Sequence, residues 1–389
     1  MIKLAVVTAT RAEYGLLRPV INELRKYENH ALQVILIVSG THLIADYGYT
    51  ISEIESDGVR IDYKIKIPVN SATEYDISKN QANALVQFTE LFSKQKFDAV
   101  ILLGDRYETL SFAIAAGNTR TPVFHLCGGD TTEGALDEWI RHAITKISYL
   151  HFVTNEESRK RVIQLGENPA RVFNYGSTSI DNILTIAALN KNEALSSIGM
   201  DDCMYALCTY HPVTMENADV DNKILCFVKA IEKYSRIVFI VTKSNADQGG
   251  ARINELLDQA EKQVKNLYVF SSLGMERYLS LMRYAVFVMG NSSSGIIETP
   301  VFQIPTINIG DRQKGRLQSE SIINCDEDTD SICKSIDIAL SQKHRELCRE
   351  VISPYGDGHA AEKIAGKMIE AVRERIDLKK VFYDLKIKR

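Results

Sequence analysis

Carboxylates, guanidiniums and imidazoles crowd the stretch from Gly104 to His142. It reads G-D-R-Y-E-T-L-S-F-A and then, further on, H-L-C-G-G-D-T-T-E-G-A-L-D-E-W-I-R-H. Asp105, Arg106, Glu108, His125, Asp130, Glu133, Asp137, Arg141 and His142 all fall within it. Carboxylates mixed with arginine and histidine suit proton transfer beside an anionic ligand. So many charges exceed what a structural turn needs, unless they hold a charged ligand. Two apolar runs, 97–103 and 121–126, must present them. Both read as buried parallel strands that end in polar residues. Ligands of open α/β sheets sit at the carboxyl ends of the strands, so these side chains are expected to converge on one cleft.

The same placement recurs elsewhere. The first strand ends in T-A-T-R-A-E-Y-G-L-L, where small residues let backbone N–H groups face an anion and Arg11 adds a fixed charge. The plainer reading is that Arg11 and Glu13 cap a helix starting at Ala12. No G-x-G-x-x-G follows this strand, which lowers the odds of a dinucleotide cofactor. The second strand ends in S-G-T-H, and His42 reads equally as a ligand contact or a turn residue. In the second half, His211 follows a strand in Y-H-P, placed for catalysis or for a phosphate contact, although a lone histidine is usually structural. Between a strand at 286–289 and a helix expected from about Ile296 lies G-N-S-S-S-G. Ser292 and Ser293 there suit a phosphate at a helix N-terminus. No G-K-[ST] follows, so this is not a Walker loop. The plainer alternative is a serine-capped turn. Glu298, a helical turn on, suits a ribose diol, and Arg312 offers a second guanidinium for a diphosphate. The stretch 353–360, S-P-Y-G-D-G-H-A, either closes the cleft or turns the chain before a helix at 361–373.

The elements that carry these residues alternate. Strand-like runs at 4–8, 33–38, 99–103, 123–126, 151–154 and 172–175 are followed by a second series at 205–209, 237–242, 267–270, 286–289 and 306–309. Helical periodicity lies between them, as at 16–27 and 78–94. The pattern predicts an α/β chain of two Rossmann-like, doubly wound domains with helices on both faces of each sheet. The expected division is residues 1–185, carrying the carboxylates, and residues 186–389. The last helices are free to pack back on the first domain.

A chain of 389 residues is long enough for about two domains. Its hydrophobic content of 45% and charged content of 25% are ordinary for a globular protein. A net charge of −4 without a long basic run argues against nucleic acid or a membrane surface as partner. The basic tail at Lys379–Lys380 and 386–389 reads as a solvated end. Seven cysteines show no C-x-x-C pair and no zinc spacing, so no metal is expected. A strand begins directly after Met1 with no signal segment, and no apolar run approaches the roughly 20 residues that span a bilayer. A reduced, cytoplasmic protein is the expectation.

Taken in order, T-x-T-R-A-E-Y, G-T-H-L, G-D-R-Y-E, H-x-x-G-G-D-x-x-E-G-x-x-D-E-x-x-R-H-A-I-T-K, Y-H-P-V-T, G-N-S-S-S-G-I-I-E, N-I-G-D-R-Q-x-G-R and P-Y-G-D-G-x-A span nearly the whole chain. This ordered set resembles the UDP-N-acetylglucosamine 2-epimerases, and more closely the hydrolysing branch that feeds synthesis of sialic-acid-like sugars. The resemblance implies a glycosyltransferase-B-like pair of domains with the active site in an interdomain cleft, no cofactor, and a homodimer, for which the helical surface at 85–91 is a candidate. It implies that UDP-N-acetylglucosamine loses UDP to a 2-acetamidoglucal, and that water then adds to give N-acetylmannosamine. UDP-2,4-diacetamido-2,4,6-trideoxyglucose, on the legionaminic acid route, is the alternative substrate. A glycosyltransferase of the same fold and a non-catalytic nucleotide-sugar sensor are the rival readings.

The resemblance carries catalytic carboxylates onto Asp105 and Asp137. It carries basic residues onto Arg11, Arg106, His125, Arg141, His211 and Arg312, diphosphate contacts onto Ser292 and Ser293, and a ribose contact onto Glu298. One position departs from it. Where family members have a glutamate two residues after the histidine, this chain has Cys127. The proton-transfer pair is then expected to be Asp105 and Asp137, or Asp130 or Glu133 moves in.

Overall fold

The computed structural model describes residues 1–45, 48–69, 73–132, 137–186, 188–212, 219–244, 249–374 and 376–386. Seven strands form the first sheet: β1 (Ile2–Thr8), β2 (Leu32–Ser39), β3 (Tyr63–Ile65), β4 (Ala99–Leu103), β5 (Val123–Leu126), β6 (Leu150–Val153) and β7 (Val172–Asn174). Six form the second: β8 (Tyr205–Thr209), β9 (Val238–Thr242), β10 (Leu267–Phe270), β11 (Val288–Gly290), β12 (Thr306–Ile309) and β13 (Ile322–Cys325). The fold is α/β, with two Rossmann-like parallel sheets.

Continuous apolar sequence explains the central strands. β4 is Ala-Val-Ile-Leu-Leu and every residue in it is buried. No polar face is left for water, which is the mark of a parallel strand covered on both sides. One side of the first sheet packs Leu4, Val6 and Ile101 against the helices Arg11–Arg25 and Ala360–Arg373. The other packs Ala5, Val7 and Val100 against the helices Glu74–Lys94 and Tyr107–Asn118. The second sheet is covered in the same manner by two further cores. Strands β3 and β13 were not foreseen. Both are short, lie at sheet edges and are only partly buried, so they lack the apolar run that announces the others.

The chain divides into two compact units, the first built mainly from Met1 to Asn182 and from Tyr355 onward, the second mainly from Ile183–Pro354. Asp181 fixes the return of the chain by accepting the Ala361 N–H at 2.8 Å and the Ala360 N–H at 3.3 Å, at the start of the Ala360–Arg373 helix. Asp181 thus satisfies two of the amide groups that a helix N-terminus leaves unpaired. Beyond that helix Lys379 and Lys386 are exposed, as expected of a solvated tail, but Lys380 is not. Lys380 Nζ lies 2.6 Å from Glu167 Oε2, and only 24% of the Lys380 side chain is exposed. Among the described residues no helix is long and apolar enough to cross a membrane.

Candidate active site

Strand order in the first sheet is β3-β2-β1-β4-β5-β6-β7. The winding direction reverses between β1 and β4, and the loops after those strands diverge to leave a crevice. Arg11 follows β1 and Asp105 follows β4, so both lie at this switch point.

Arg141 organises the carboxylates. It sits in the helix Asp137–Ile147 with 1% of its side chain exposed. Its Nε donates to Asp105 Oδ2 at 2.7 Å, and its Nη2 reaches the same oxygen. Its Nη1 donates to the Asp130 carbonyl at 2.8 Å and to Glu138 Oε2 at 2.9 Å. One guanidinium therefore ties the turn after β4 to the turn after β5 and to the first turn of its own helix. Burial alone would favour the neutral form of Arg141, but the surrounding Asp105, Asp130 and Glu138 charges prevail and hold its pKa above the ordinary value. Asp105 keeps 26% of its side chain exposed, so it remains open to a ligand. Asp137 is half-buried at the first helical position and lies one turn before Arg141, on the same face.

His125 is fully buried and donates from Nε2 to the Gly104 carbonyl at 2.7 Å, since a carbonyl can only accept. Burial depresses its pKa to about 4, so the ring is neutral at ordinary pH. Its place is to fix the backbone just ahead of Asp105. Glu133 lies outside the described residues. Arg106 precedes the Tyr107–Asn118 helix and donates from Nε to the buried Glu108 at 2.8 Å.

Three expected site residues prove to be engaged in holding the fold. The Asp130 side chain accepts from Thr154 at 3.2 Å, from Asn155 at 3.4 Å and from Ser158, which binds it at the start of the helix Glu156–Gln164. His42 is fully buried, with Nε2 3.0 Å from Thr8 Oγ1 and Nδ1 2.8 Å from Thr50 Oγ1, because the short turn Gly40–Leu43 tucks it inward. Glu13 closes a capping box with Thr10 and accepts the Ala9 N–H at 2.7 Å. Glu13 thus caps the helix that begins at Arg11. Arg11 itself is exposed and lies 3.9 Å from Glu53.

In the second sheet the order β10-β9-β8-β11-β12-β13 reverses between β8 and β11. Tyr210-His211 follows β8 and Asn291-Ser292 follows β11, so these two loops share that crevice. Gly290, at φ +138°, makes the approach possible, because a Cβ there would collide with the Thr209 carbonyl. The buried Asn291 amide accepts the His211 N–H at 2.7 Å and donates to the His211 carbonyl at 2.8 Å. The Asn291 carbonyl in turn accepts from Arg312 at 2.9 Å and Gln313 at 2.8 Å. Asn291 and Gln313 went unassigned in the sequence, which shows a polar residue in a turn but not its distant partners.

The helix after β11 is Ser293–Ile297, so it starts three residues earlier than expected, with Ser292 as its N-cap. Ser292, Ser293 and Glu298 are all half-buried. Ser294 donates to Glu298 Oε2, and Tyr278 Oη donates to Ser294 Oγ at 3.2 Å. Burial raises Glu298 to about 7, only partly offset by the Ser294 hydrogen bond. His211 Nδ1 lies 3.2 Å from Ser244 Oγ. Among the described residues no three His, Cys, Asp or Glu side chains gather as metal ligands.

Comparison with known proteins agrees with this fold. The chain is 42% identical over 325 residues to a GDP/UDP-N,N'-diacetylbacillosamine 2-epimerase (hydrolyzing) of Campylobacter jejuni, covering 83% of this chain and 84% of that one. It is 37% identical to polysialic acid biosynthesis protein P7 of Escherichia coli over 99% of this chain and 98% of that one. Its fold is similar to that of the UDP-GlcNAc 2-epimerase from Neisseria meningitidis bound to UDP-GlcNAc, with a TM-score of 0.80 at 18% identity over 95% of this chain and 100% of that one. The family model described as UDP-N-acetylglucosamine 2-epimerase matches residues 24–369, and the chain belongs to that family.

Proposed function

We propose that the protein is a hydrolysing 2-epimerase, taking UDP-N-acetylglucosamine to UDP and N-acetylmannosamine. The observation that carries this reading is the buried Arg141, which holds Asp105 at the switch point while Asp137 lies one turn away on the same helix face. That arrangement provides the two carboxylates needed to take a proton from one face of a sugar carbon and return it on the other. The C2 proton has no carbonyl beside it to acidify it, so departure of UDP must do most of the work. The C1–O bond breaks with its electron pair leaving on the diphosphate, one aspartate takes the C2 proton, and a 2-acetamidoglucal results. Water then adds its hydroxyl to C1 while a proton returns to C2 from the opposite face. General-base help of this kind is typically worth about 10²- to 10⁴-fold.

Ser292, Ser293 and Arg312 are assigned to the diphosphate and Glu298 to the ribose, with Arg11 and Arg106 as substrate-binding residues and His211 as a catalytic one. Preorganised donors aimed at developing negative charge contribute on the order of 3 kcal/mol each in a site shielded from water. This reading also puts the protein in the cytoplasm as a homodimer, the latter checked by light scattering on the purified chain.

The 42% identity to the Campylobacter protein favours a second substrate, UDP-2,4-diacetamido-2,4,6-trideoxyglucose. The test is incubation with each nucleotide-sugar in heavy water. Release of UDP together with a C2-epimeric free sugar carrying deuterium at C2 supports the proposal, and the faster substrate identifies the route. Formation of the epimeric UDP-sugar without UDP release would make the enzyme non-hydrolysing. Product lacking deuterium would exclude elimination.

A further inference from the structure

The chain beyond the Ala360–Arg373 helix is held at three kinds of contact. Lys380 Nζ lies 2.6 Å from Glu167 Oε2, 2.7 Å from the Ser148 carbonyl and 3.0 Å from the Lys146 carbonyl. The Phe382 ring sits 4.9 Å from the Lys146 ammonium and lies so close to Gly166 that a Cβ there would collide with it. The Tyr383 N–H donates to the Gly166 carbonyl at 2.9 Å. Glu167 is 1% exposed at the side chain, and it also takes Lys146 Nζ at 2.6 Å and His151 Nε2 at 3.1 Å. Ordering a terminal segment costs conformational entropy at every residue, so contacts of this number are needed to keep it in place.

The carbonyls that Lys380 grips lie at the C-terminal end of the helix Asp137–Ile147. A helix leaves its last carbonyls without internal partners, and its dipole favours a cation there. The opposite end of this helix carries Asp137 and, one turn in, the Arg141 that holds Asp105. Its 11 residues span about 16 Å, short enough to move as a rigid rod. We propose that residues 378–385 form a strap that sets the position of this helix, with Lys380 as the positioning residue for Asp137 and the Arg141–Asp105 pair. The activity arm of the test rests on the 2-epimerase reading; a spectroscopic arm does not.

Trp139 is the chain's only tryptophan, sits on the same helix and is 53% exposed, so its emission reports on that helix alone. The variants are Lys380→Met, Lys380→Arg, Phe382→Ala and the double variant Lys380→Met with Glu167→Gln. In Lys380→Met, Trp139 emission and acrylamide quenching should change while far-UV circular dichroism stays intact. Turnover should fall about tenfold with KM within about twofold of wild type. Lys380→Arg should restore both readouts. The double variant also removes the buried carboxylate that Lys380 shares with Lys146 and His151, and Trp139 and turnover should stay displaced in it.

Recovery of turnover together with stability in the double variant would reduce Lys380 to charge balance and overturn the strap. Wild-type Trp139 behaviour and turnover in folded Lys380→Met would overturn it too. If Lys380→Met fails to fold, the double variant and Phe382→Ala decide by the same readouts. A wild-type protein that turns over no UDP-sugar would sink the 2-epimerase reading and leave Trp139 to decide the strap.

Discussion

Asn291 brackets the backbone of His211, accepting its N–H and donating to its carbonyl, and so joins the loop after β8 to the loop after β11. Asn291→Ala strands two backbone groups in a buried place, at about 1–3 kcal/mol for each left unsatisfied. The melting temperature should drop, and UDP should bind at least about tenfold more weakly by calorimetry. Wild-type affinity for UDP in that variant would separate the bracket from nucleotide binding.

Asp105→Asn keeps an acceptor for Arg141 but removes the carboxylate charge. Turnover should fall at least on the order of a hundredfold, with substrate affinity little changed. Steady-state kinetics beside a binding titration checks both halves. Near-normal turnover would remove Asp105 from the mechanism.

Buried ionisable groups set opposing slopes of stability against pH. His125 and His42 are each pushed down to about 4 by burial, from an ordinary 6.5. Their contribution is present above pH 6.5 and is lost as pH falls toward 4, because the unfolded chain takes up protons first. Glu13 runs the other way: burial, with the Glu108 charge adding to it, raises it from 4.5 to about 8. Its contribution is present below pH 4.5 and is lost as pH rises through 8. Glu13→Gln keeps an oxygen for the Ala9 N–H and removes that loss. The variant should therefore be more stable than wild type at pH 8, by about 1 kcal/mol or more, and calorimetric melts at pH 5 and pH 8 measure the difference.

Cys127→Ser tests the thiol. If Asp105 and Asp137 move the protons, turnover should stay within about threefold of wild type in a UDP-release assay. A loss on the order of a hundredfold would bring Cys127 into the chemistry.

The central strands were legible because they are unbroken apolar runs such as Ala99–Leu103, whose burial needs no distant information. The edge strands Tyr63–Ile65 and Ile322–Cys325 were not, since a half-covered edge tolerates Lys64 and Asn324. At the site, spacing along one helix was enough to group Asp137 with Arg141. The fates of Asp130 and His42 depended on Ser158 and Thr50, partners that no local pattern announces. Lys380 misled for the same reason, because its partner Glu167 lies far back in the chain.

Each sheet builds its own crevice from its own strands, yet the final stretch of chain from Tyr355 returns to the first unit. Grafting one half onto a relative therefore demands two crossover points, one near Asn182 and one near Pro354. A chimaera spliced once would pair the recipient's opening half with a foreign closing helix and lose the Asp181 seat that receives it. Exchanged with both junctions respected, residues 183–354 would move as one piece, and the closing helix would keep the Asp181 seat of its own chain.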